Sequence, residues 1–406
     1  MFTPDATTGP VARRGGLAPR RGKTWLAAIV GLLAPAASIA ATDADALDRL
    51  KRMSVEDLMN LEVTSVARRP ERLADAPAAV QVITGEQLRL SGAATLGEAL
   101  RLAHNLQVAQ RGAHGWAVSA RGFNTDLANK MLVMIDGRSV YTPLFSGVFW
   151  EAQDYLLEDV ERIEVVSGPG GTQWGANAVN GVISVITRSA ADTQGLFATA
   201  GAGPELDLLG ALRYGFEVTP GTSLRFFGKH VEQDASLLEG GASAGDGWRR
   251  SQGGFRLDGR AFDGELTVQG DAHAYSAPDP ELAGEDSRLR GANLLARWSR
   301  ALGAEGEMEL RSYVDWARYD DAVPELVLNG TTLAPQGRFR DDLLTIDVDF
   351  QHRFRPHPRH VLTWGLGFRH LRDDVDNAPA LAVLPARRNQ QLYSFFLQDE
   401  IALAES

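Results

Sequence analysis

The chain has 406 residues, and 41 lysines and arginines against 52 aspartates and glutamates give it a net charge of −11 at neutral pH. Such an acidic chain lacks the positive surface that neutralises phosphates, which excludes nucleic acid as its main partner. The absence of cysteine excludes disulfides, thiolate metal sites and cysteine nucleophiles. The 42 glycines favour strands and turns over a helical bundle.

The amino terminus has the layout of a secretory signal peptide. Five basic residues between positions 13 and 23 precede an apolar run at residues 25–41, which Pro35 interrupts. The run is shorter than the roughly 20 residues of a transmembrane helix, and the small residues Ser38 and Ala40 form a cleavage pattern. We predict a signal peptide over residues 1–40, cleaved after Ala40; an uncleaved anchor or a buried core helix is the alternative.

Residues 41–74 are predicted to be an N-terminal extension that is too short for a domain. Apolar residues at helical spacing predict one amphipathic helix over residues 42–60. Residues 61–67 are rich in β-branched side chains and predict an isolated extended segment. A strand without a neighbour near a chain terminus is available to a partner.

Residues 75–190 mix short strands with helices and predict a small α+β domain. Strands are predicted over residues 80–84, 131–136, 160–166 and 182–187. Thr84 is predicted to cap a helix, a second helix is predicted over residues 95–102, and Asp136-Gly137 is a turn signal.

After residue 190 the hydrophobic period changes to two. Leu212 and Tyr214 share one face with Arg213 on the other, and the same alternation recurs around residues 308–316 and 344–354. A soluble sandwich also alternates, but large apolar groups on one face and charges on the other favour a membrane β-barrel. We predict an antiparallel, incomplete barrel of about ten strands over residues 191–406.

The predicted connections differ in length at the two ends of the strands. Short turns at 219–221, 262–264 and 356–358 alternate with polar loops at 234–247, 277–288, 320–337 and 372–388. Outer-membrane barrels have short periplasmic turns and long external loops. The asymmetry therefore supports the barrel and assigns the long loops to the outside.

Five motifs in the α+β region carry a resemblance to a known family. They are DAPAAV at 75–80, ARGF at 120–123, VMIDG at 133–137, VERIEVVSGP at 160–169 and WGANAVNGVI at 174–183. In this order and spacing the chain resembles the TonB-dependent outer-membrane receptors. The resemblance implies that residues 75–190 are the plug domain that sits inside a barrel of about 22 strands.

The resemblance also implies roles for single residues. The segment before the plug would be the TonB box, which adds as a strand to TonB: Leu61, Glu62, Val63, Thr64, Ser65, Val66 and Ala67. An ordinary linker strand is the alternative. Arg121 and Arg162 match plug arginines that pair with barrel-wall glutamates in relatives, against the alternative of two solvated surface arginines.

Two aromatic, glycine-rich plug loops are candidates for binding the substrate. Their residues are His114, Trp116, Tyr141, Phe145, Phe149 and Trp150. Aromatic rings with few polar groups suit a large, partly apolar metal chelate or corrinoid, although packing of the plug against the barrel would use the same residues. The sequence lacks the helical metal-binding motif and the nucleophile elbow, so we predict no metal site, no cofactor and no enzyme.

The length conflicts with a closed, plugged barrel. Ten strands would close at a radius of about 10 Å, whereas a plug of about 110 residues has an outer radius of about 17 Å. We therefore expect a truncated or fragmentary receptor with an exposed edge strand near residues 393–401.

These expectations indicate energy-coupled import of a scarce, bulky nutrient across the outer membrane of a Gram-negative bacterium. The implied partners are TonB with its inner-membrane energising complex, a ferric siderophore, haem or cobalamin ligand, and outer-membrane lipid. A surface ligand receptor or a plugged porin without energy coupling is the alternative function.

Overall fold

The computed structural model describes residues 62–65, 71–175, 177–279, 282, 285–303 and 306–402. The predicted signal peptide and the predicted helix over residues 42–60 lie outside these residues. Residues 61, 66 and 67 of the predicted TonB box also lie outside them.

The plug is built on short strands joined by helical turns. The strands are β1 (Glu62–Val63), β2 (Glu71–Arg72), β3 (Ala79–Thr84), β4 (Gln107–Arg111), β5 (Gly115–Ser119), β6 (Met131–Ile135), β7 (Arg138–Ser139), β8 (Val160–Ser167) and β9 (Gly181–Thr187). The α-helices are Gly85–Ser91, Leu96–Ala99 and Gly171–Trp174, and the 3-10 turns are Leu73–Asp75, Leu100–Leu102, Trp150–Ala152, Leu157–Asp159 and Ala191–Thr193.

One mixed sheet organises the plug, with the strand order β3-β8-β9-β6-β7. Only β6 and β9 run parallel. The hairpin β4–β5 and the pair β1–β2 are separate two-stranded sheets. The predicted strands over residues 80–84, 131–136, 160–166 and 182–187 correspond to β3, β6, β8 and β9.

Two local signals in the sequence form as predicted. The Thr84 hydroxyl accepts from the Gln87 N–H while the Gln87 side chain accepts from the Thr84 N–H, which completes a capping box at helix Gly85–Ser91. Asp136 and Gly137 have φ values of 50° and 84° between β6 and β7. A two-residue hairpin turn with both φ values positive matches the twist of the strands it joins.

The plug core forms where the helices cover this sheet. Ile83, Leu88, Leu96, Ile163 and Ile183 are almost completely buried in one cluster. These residues come from strands and helices far apart in sequence, so the core fixes the positions of the loops between them.

Ten antiparallel strands follow the plug and form one sheet, which we call the wall. They are β10 (Gly195–Gly201), β11 (Leu206–Thr219), β12 (Thr222–Gln233), β13 (Trp248–Ala261), β14 (Gly264–Pro278), β15 (Asp286–Leu302), β16 (Gly306–Val323), β19 (Gly337–His357), β20 (His360–Asp376) and β21 (Arg387–Ile401). Each pairs with its neighbour in this order, and among the described strands β10 and β21 are the edges. The sheet is therefore not closed by these strands.

The two faces of the wall differ in the way the alternation predicts. Leu212, Tyr214 and Leu310 are exposed on the outer face. Arg213 and Arg311 point inward and are mostly covered. An apolar outer face and a charged inner face fit a strand with lipid on one side and protein on the other.

The predicted long loops are present between the wall strands, with one addition. The loop at residues 320–337 carries a small hairpin of its own, β17 (Leu326–Leu328) and β18 (Thr331–Ala334). Of the helices in the described part of the chain, none has both the length and the apolar character that crossing a membrane requires.

Candidate functional site

The first plug loop, at the tip of hairpin β4–β5, is fixed to a long loop of the wall. The Ala113 N–H donates to the Asp246 carboxylate at 2.7 Å, and the Trp248 indole N–H donates to the Ala113 carbonyl at 2.8 Å. Asp246 also accepts from the backbone and the hydroxyl of Ser236, both at 2.7 Å. The tip thus lies at the end of the wall that carries the long loops.

The aromatic residues of this loop pack against plug and wall together. The His114 ring lies 6.2 Å from the Tyr275 ring, and burial lowers the pKa of His114. The Arg101 guanidinium lies 4.9 Å from the Trp116 ring centre. A Cβ on Gly97 would come within 2.9 Å of the Trp116 ring, so the indole needs a glycine opposite it.

The second plug loop, at residues 141–150, reaches the same end of the wall. Phe149 stacks on Tyr319 of β16 with 4.7 Å between ring centres, and Phe145 meets Phe149 edge-on at 5.0 Å. The Tyr141 hydroxyl lies 3.3 Å from the Ser146 hydroxyl. The structure therefore brings both candidate loops to one end of the plug.

Packing accounts for part of the candidate set. Trp150 is only 7% exposed and belongs to the plug core. His114, Trp116, Tyr141, Phe145 and Phe149 are partly covered and keep some exposed surface. Trp150 is thus placed as a packing residue, whereas the ligand-binding role of the other five stays a prediction.

A small cavity lies where the second loop meets the wall. Its volume is about 50 Å³, and its lining includes Tyr141, Phe149, Asp315, Tyr319 and Asp341. Ligand pockets for molecules of moderate size have volumes of roughly 300 Å³ or more. This cavity is therefore too small to enclose a bulky chelate.

Glu151, next to the aromatic loop residues, gives this end of the plug a pH dependence. Burial is the largest cause and raises the pKa of Glu151 from 4.5 to about 7. The charges of Arg111, Asp126 and Arg250 have smaller effects on this pKa. A carboxyl with a raised pKa in the folded state stabilises the fold when protonated. Its contribution is complete below pH 4.5 and is lost as the pH rises through about 7.

We expect the thermal midpoint of the plug to fall between pH 5 and pH 8, and Glu151→Gln to reduce that fall. The amide of Gln does not ionise, so the pH dependence of stability that Glu151 contributes is lost in the variant. Calorimetry of both proteins in detergent at the two pH values measures the effect. An equal fall in the wild type and in Glu151→Gln would contradict it.

Buried ion pairs anchor the plug to the inward face of the wall. Asp159 is completely buried and lies 2.6 Å from Arg213 and 3.3 Å from Arg225 of the wall. The Lys229 ammonium lies 2.6 Å from Asp154 and also donates to the carbonyls of Ala94 and Tyr155, at 2.7 and 2.9 Å. Three bonds satisfy all the protons of that ammonium group.

Two further pairs extend the anchors along the plug sheet. Asp136, in the turn after β6, accepts from Thr187 and from Gln269 of the wall and lies 4.0 Å from Arg256. Arg138 pairs with Asp315 of the wall. The plug segment from 136 to 159 thus carries anchors to β11, β12, β13, β14 and β16.

The two predicted latch arginines, Arg121 and Arg162, take no part in the ion pairs between the plug and the described wall. Arg162 pairs with Glu161 and, at 2.8 Å, with Glu164, both of the plug itself. Arg121 is exposed, has a φ of 59°, and takes part in none of the ion pairs among the described residues. The anchors lie elsewhere, and most carry the acid on the plug and the base on the wall.

The described part of the predicted TonB box is docked on the plug. Glu62 and Val63 pair with Arg72 and Glu71 as the two-stranded sheet β1–β2. Val63 and Ser65 are buried. The sequence predicted an isolated segment, and the structure shows one whose side chains and backbone are engaged by the plug.

Within the described ranges, no three or more histidines, aspartates and glutamates come together in a way that could hold a metal ion.

Comparison with known proteins identifies the family. The sequence model of the TonB-dependent Receptor Plug Domain matches residues 72–182. The solved structure of the siderophore receptor PirA from Acinetobacter baumannii superposes on 80% of this chain with a TM-score of 0.62 at 14% identity. Residues 72–182 are a TonB-dependent receptor plug domain. The location of the chain is accordingly the outer membrane of a Gram-negative bacterium.

Two further proteins resemble this chain in sequence or in structure. The vitamin B12 transporter BtuB of Vibrio vulnificus is 26% identical over 262 residues, which are 64% of this chain and 36% of that protein. A ferric enterobactin receptor, PfeA, from Pseudomonas aeruginosa superposes with a TM-score of 0.63 at 14% identity. That alignment covers 81% of this chain and 56% of PfeA.

The chain spans about a third of the length of the BtuB relative and about half of the two solved receptors. The similarity to the solved structures, at 14% identity, establishes the fold.

Proposed function

We propose that the whole protein imports a scarce, bulky nutrient across the outer membrane in an energy-coupled step. The observation that carries the proposal is the plug, which is fixed to the inward face of the wall by several buried ion pairs. A passive pore gains nothing from an anchored plug. Import past it requires work on the plug, because a bound ligand shifts populations only by its differential affinity.

TonB would bind residues 61–67 and exert force on the plug through them. Its inner-membrane energising complex would supply the energy. Strand addition uses main-chain hydrogen bonds for affinity, so a short β-branched segment is sufficient. Residues Glu62 and Val63 already form a strand in the docked state. Outer-membrane lipid would contact the apolar outer face of the wall, where Leu212 and Leu310 are exposed.

The substrate class we propose is a ferric siderophore, haem or cobalamin. The relatives named above are a vitamin B12 transporter and siderophore receptors. The exposed parts of Tyr141, Phe145 and Phe149 offer flat apolar surface at the outer end of the plug, which suits a large, partly apolar metal complex. We assign the protein transport and binding, without catalysis.

The test is concentrative uptake by cells that express the whole protein. Radiolabelled cyanocobalamin, haemin and a panel of ferric siderophores are supplied with and without a protonophore. We expect one of these to accumulate above its external concentration and the protonophore to reduce accumulation to the level of cells lacking the protein. Uptake that stops at equilibrium and ignores the protonophore would support the plugged-porin alternative. Binding without uptake would support a surface receptor.

A further inference from the structure

A single buried carboxylate of the plug binds the segment at residues 62–65. Glu164, in the middle of β8, is 0% exposed. Its oxygens accept from the Thr64 N–H at 3.0 Å and from the Ser65 N–H at 2.8 Å. The Ser65 hydroxyl donates to the same carboxylate. On the other side of the segment, the Trp174 indole N–H donates to the Ser65 carbonyl at 2.6 Å.

These bonds use the main-chain groups that strand addition needs. A partner strand pairs with the N–H and C=O groups of the added segment. In the docked state Glu62 and Val63 pair with β2, while Glu164 and Trp174 occupy backbone groups of Thr64 and Ser65. Docking on the plug and pairing with a partner strand at residues 64 and 65 are therefore mutually exclusive.

Arg162 orients this carboxylate. Its Nε donates to Glu164 at 2.8 Å, and its Nη1 pairs with the preceding residue, Glu161. A buried carboxylate is stable when a cation and several donors share its charge. β8 itself starts one residue after Asp159, which Arg213 and Arg225 hold to the wall.

We propose that Glu164 is the positioning residue that holds residues 62–65 on the plug and competes with TonB for the Thr64 and Ser65 N–H groups. The ion pairs of Asp159 with the wall fix β8. Glu164 therefore stays in place when residues 62–65 are released. The role in coupling rests on the proposed function. The docking role itself does not, and it can be measured without substrate or TonB.

The absence of cysteine from the chain permits a direct test. A single Val63→Cys substitution places a thiol at a position that is 0% exposed when docked. Maleimide labelling of the purified protein in detergent then reports release of the segment. We expect Glu164→Gln to raise the labelling rate at least about tenfold, because the segment loses charge-assisted hydrogen bonds.

Two controls separate a docking role from a general structural one. Glu161→Gln removes the other carboxylate that pairs with Arg162, at an exposed site, and should leave the labelling rate unchanged. Ser119→Cys, a buried reporter elsewhere in the plug, should stay protected in Glu164→Gln. An unchanged rate at residue 63 in Glu164→Gln, or an equal rise at residue 119, would overturn the proposal.

The coupling part has a separate readout. A purified periplasmic fragment of TonB should bind Glu164→Gln about tenfold more tightly than Glu161→Gln when no substrate is present, since the competing carboxylate is gone. Failure of TonB to bind any variant would refute the proposed coupling and leave the labelling result as it stands. If the TonB fragment binds both variants with equal, measurable affinity, the proposed competition between Glu164 and TonB is wrong.

Discussion

Deletion of residues 61–67 from the whole protein should reduce substrate uptake to the background of cells without it and leave substrate binding unchanged. The deletion removes the segment on which strand addition depends. The contacts of residues 62–65 are with β2, Glu164 and Trp174, so both aromatic loops keep their own contacts to the wall. Uptake and binding of the labelled substrate by whole cells measure the two effects.

A matched pair of substitutions tests whether the loss of uptake results from the loss of main-chain hydrogen bonds. Glu62 is exposed and begins β1. Glu62→Pro removes a backbone N–H and fixes φ, which weakens any pairing at this residue, whereas Glu62→Ala leaves the backbone intact. We expect a loss of uptake in the proline variant and near-normal uptake in the alanine variant. Normal uptake after the deletion would refute coupling through this segment.

Asp159→Ala should destabilise the plug by about 3–5 kcal/mol, the cost of breaking a buried ion pair by removing one partner. Asp159 is 0% exposed and lies between Arg213 and Arg225, of which Arg225 is 1% exposed. The alanine leaves the guanidinium of Arg225 buried next to an apolar group. Denaturant unfolding of the plug in detergent, followed by its tryptophan fluorescence, measures the loss.

Asp75→Ala is the control for this change. Asp75 pairs with Arg72 at 2.7 Å, but the two side chains are 53% and 61% exposed. Solvent screens such a pair, so we expect a loss below about 1 kcal/mol. Equal losses for the two variants would show that the wall pair at Asp159 does not anchor the plug.

Local patterns in the sequence predicted most of the architecture. Alternation around Leu212 and Leu310 determined which face of each strand lies outward, because the side-chain period of a strand is two. Thr84 and the Asp136-Gly137 turn acted through neighbours within four residues, and both formed as predicted. The motifs of the plug were sufficient to recognise the TonB-dependent receptor plug domain, whose sequence model matches residues 72–182.

The contacts between plug and wall were not predictable in the same way. Arg213 contacts Asp159 across 54 residues and Lys229 contacts Asp154 across 75. Which residues meet depends on how the plug is rotated inside the wall, and no local pattern contains that rotation. The resemblance suggested that arginines of the plug pair with acids of the wall. The inward-facing basic residues on β11 to β13 were the signal in the sequence that could have indicated bases on the wall and acids on the plug.

Glu164 was overlooked for the same reason. It lies within the motif at residues 160–169 that supported the resemblance, yet its partners Thr64 and Ser65 are about 100 residues away. A glutamate in a strand is normally assigned to a solvated face. Only its complete burial, together with the nearby Arg162, marks it as a functional residue.

The sign of the anchors has a consequence for how the molecule is assembled. Inward-facing bases on β11, β12 and β13 meet acidic residues of the plug, so the two parts attract each other before they touch. Dissolved ions screen that attraction over a distance of about 8 Å at physiological salt, but they cannot enter the finished, buried pairs. Salt therefore slows the association of plug and wall but has little effect on the stability of the assembled pair.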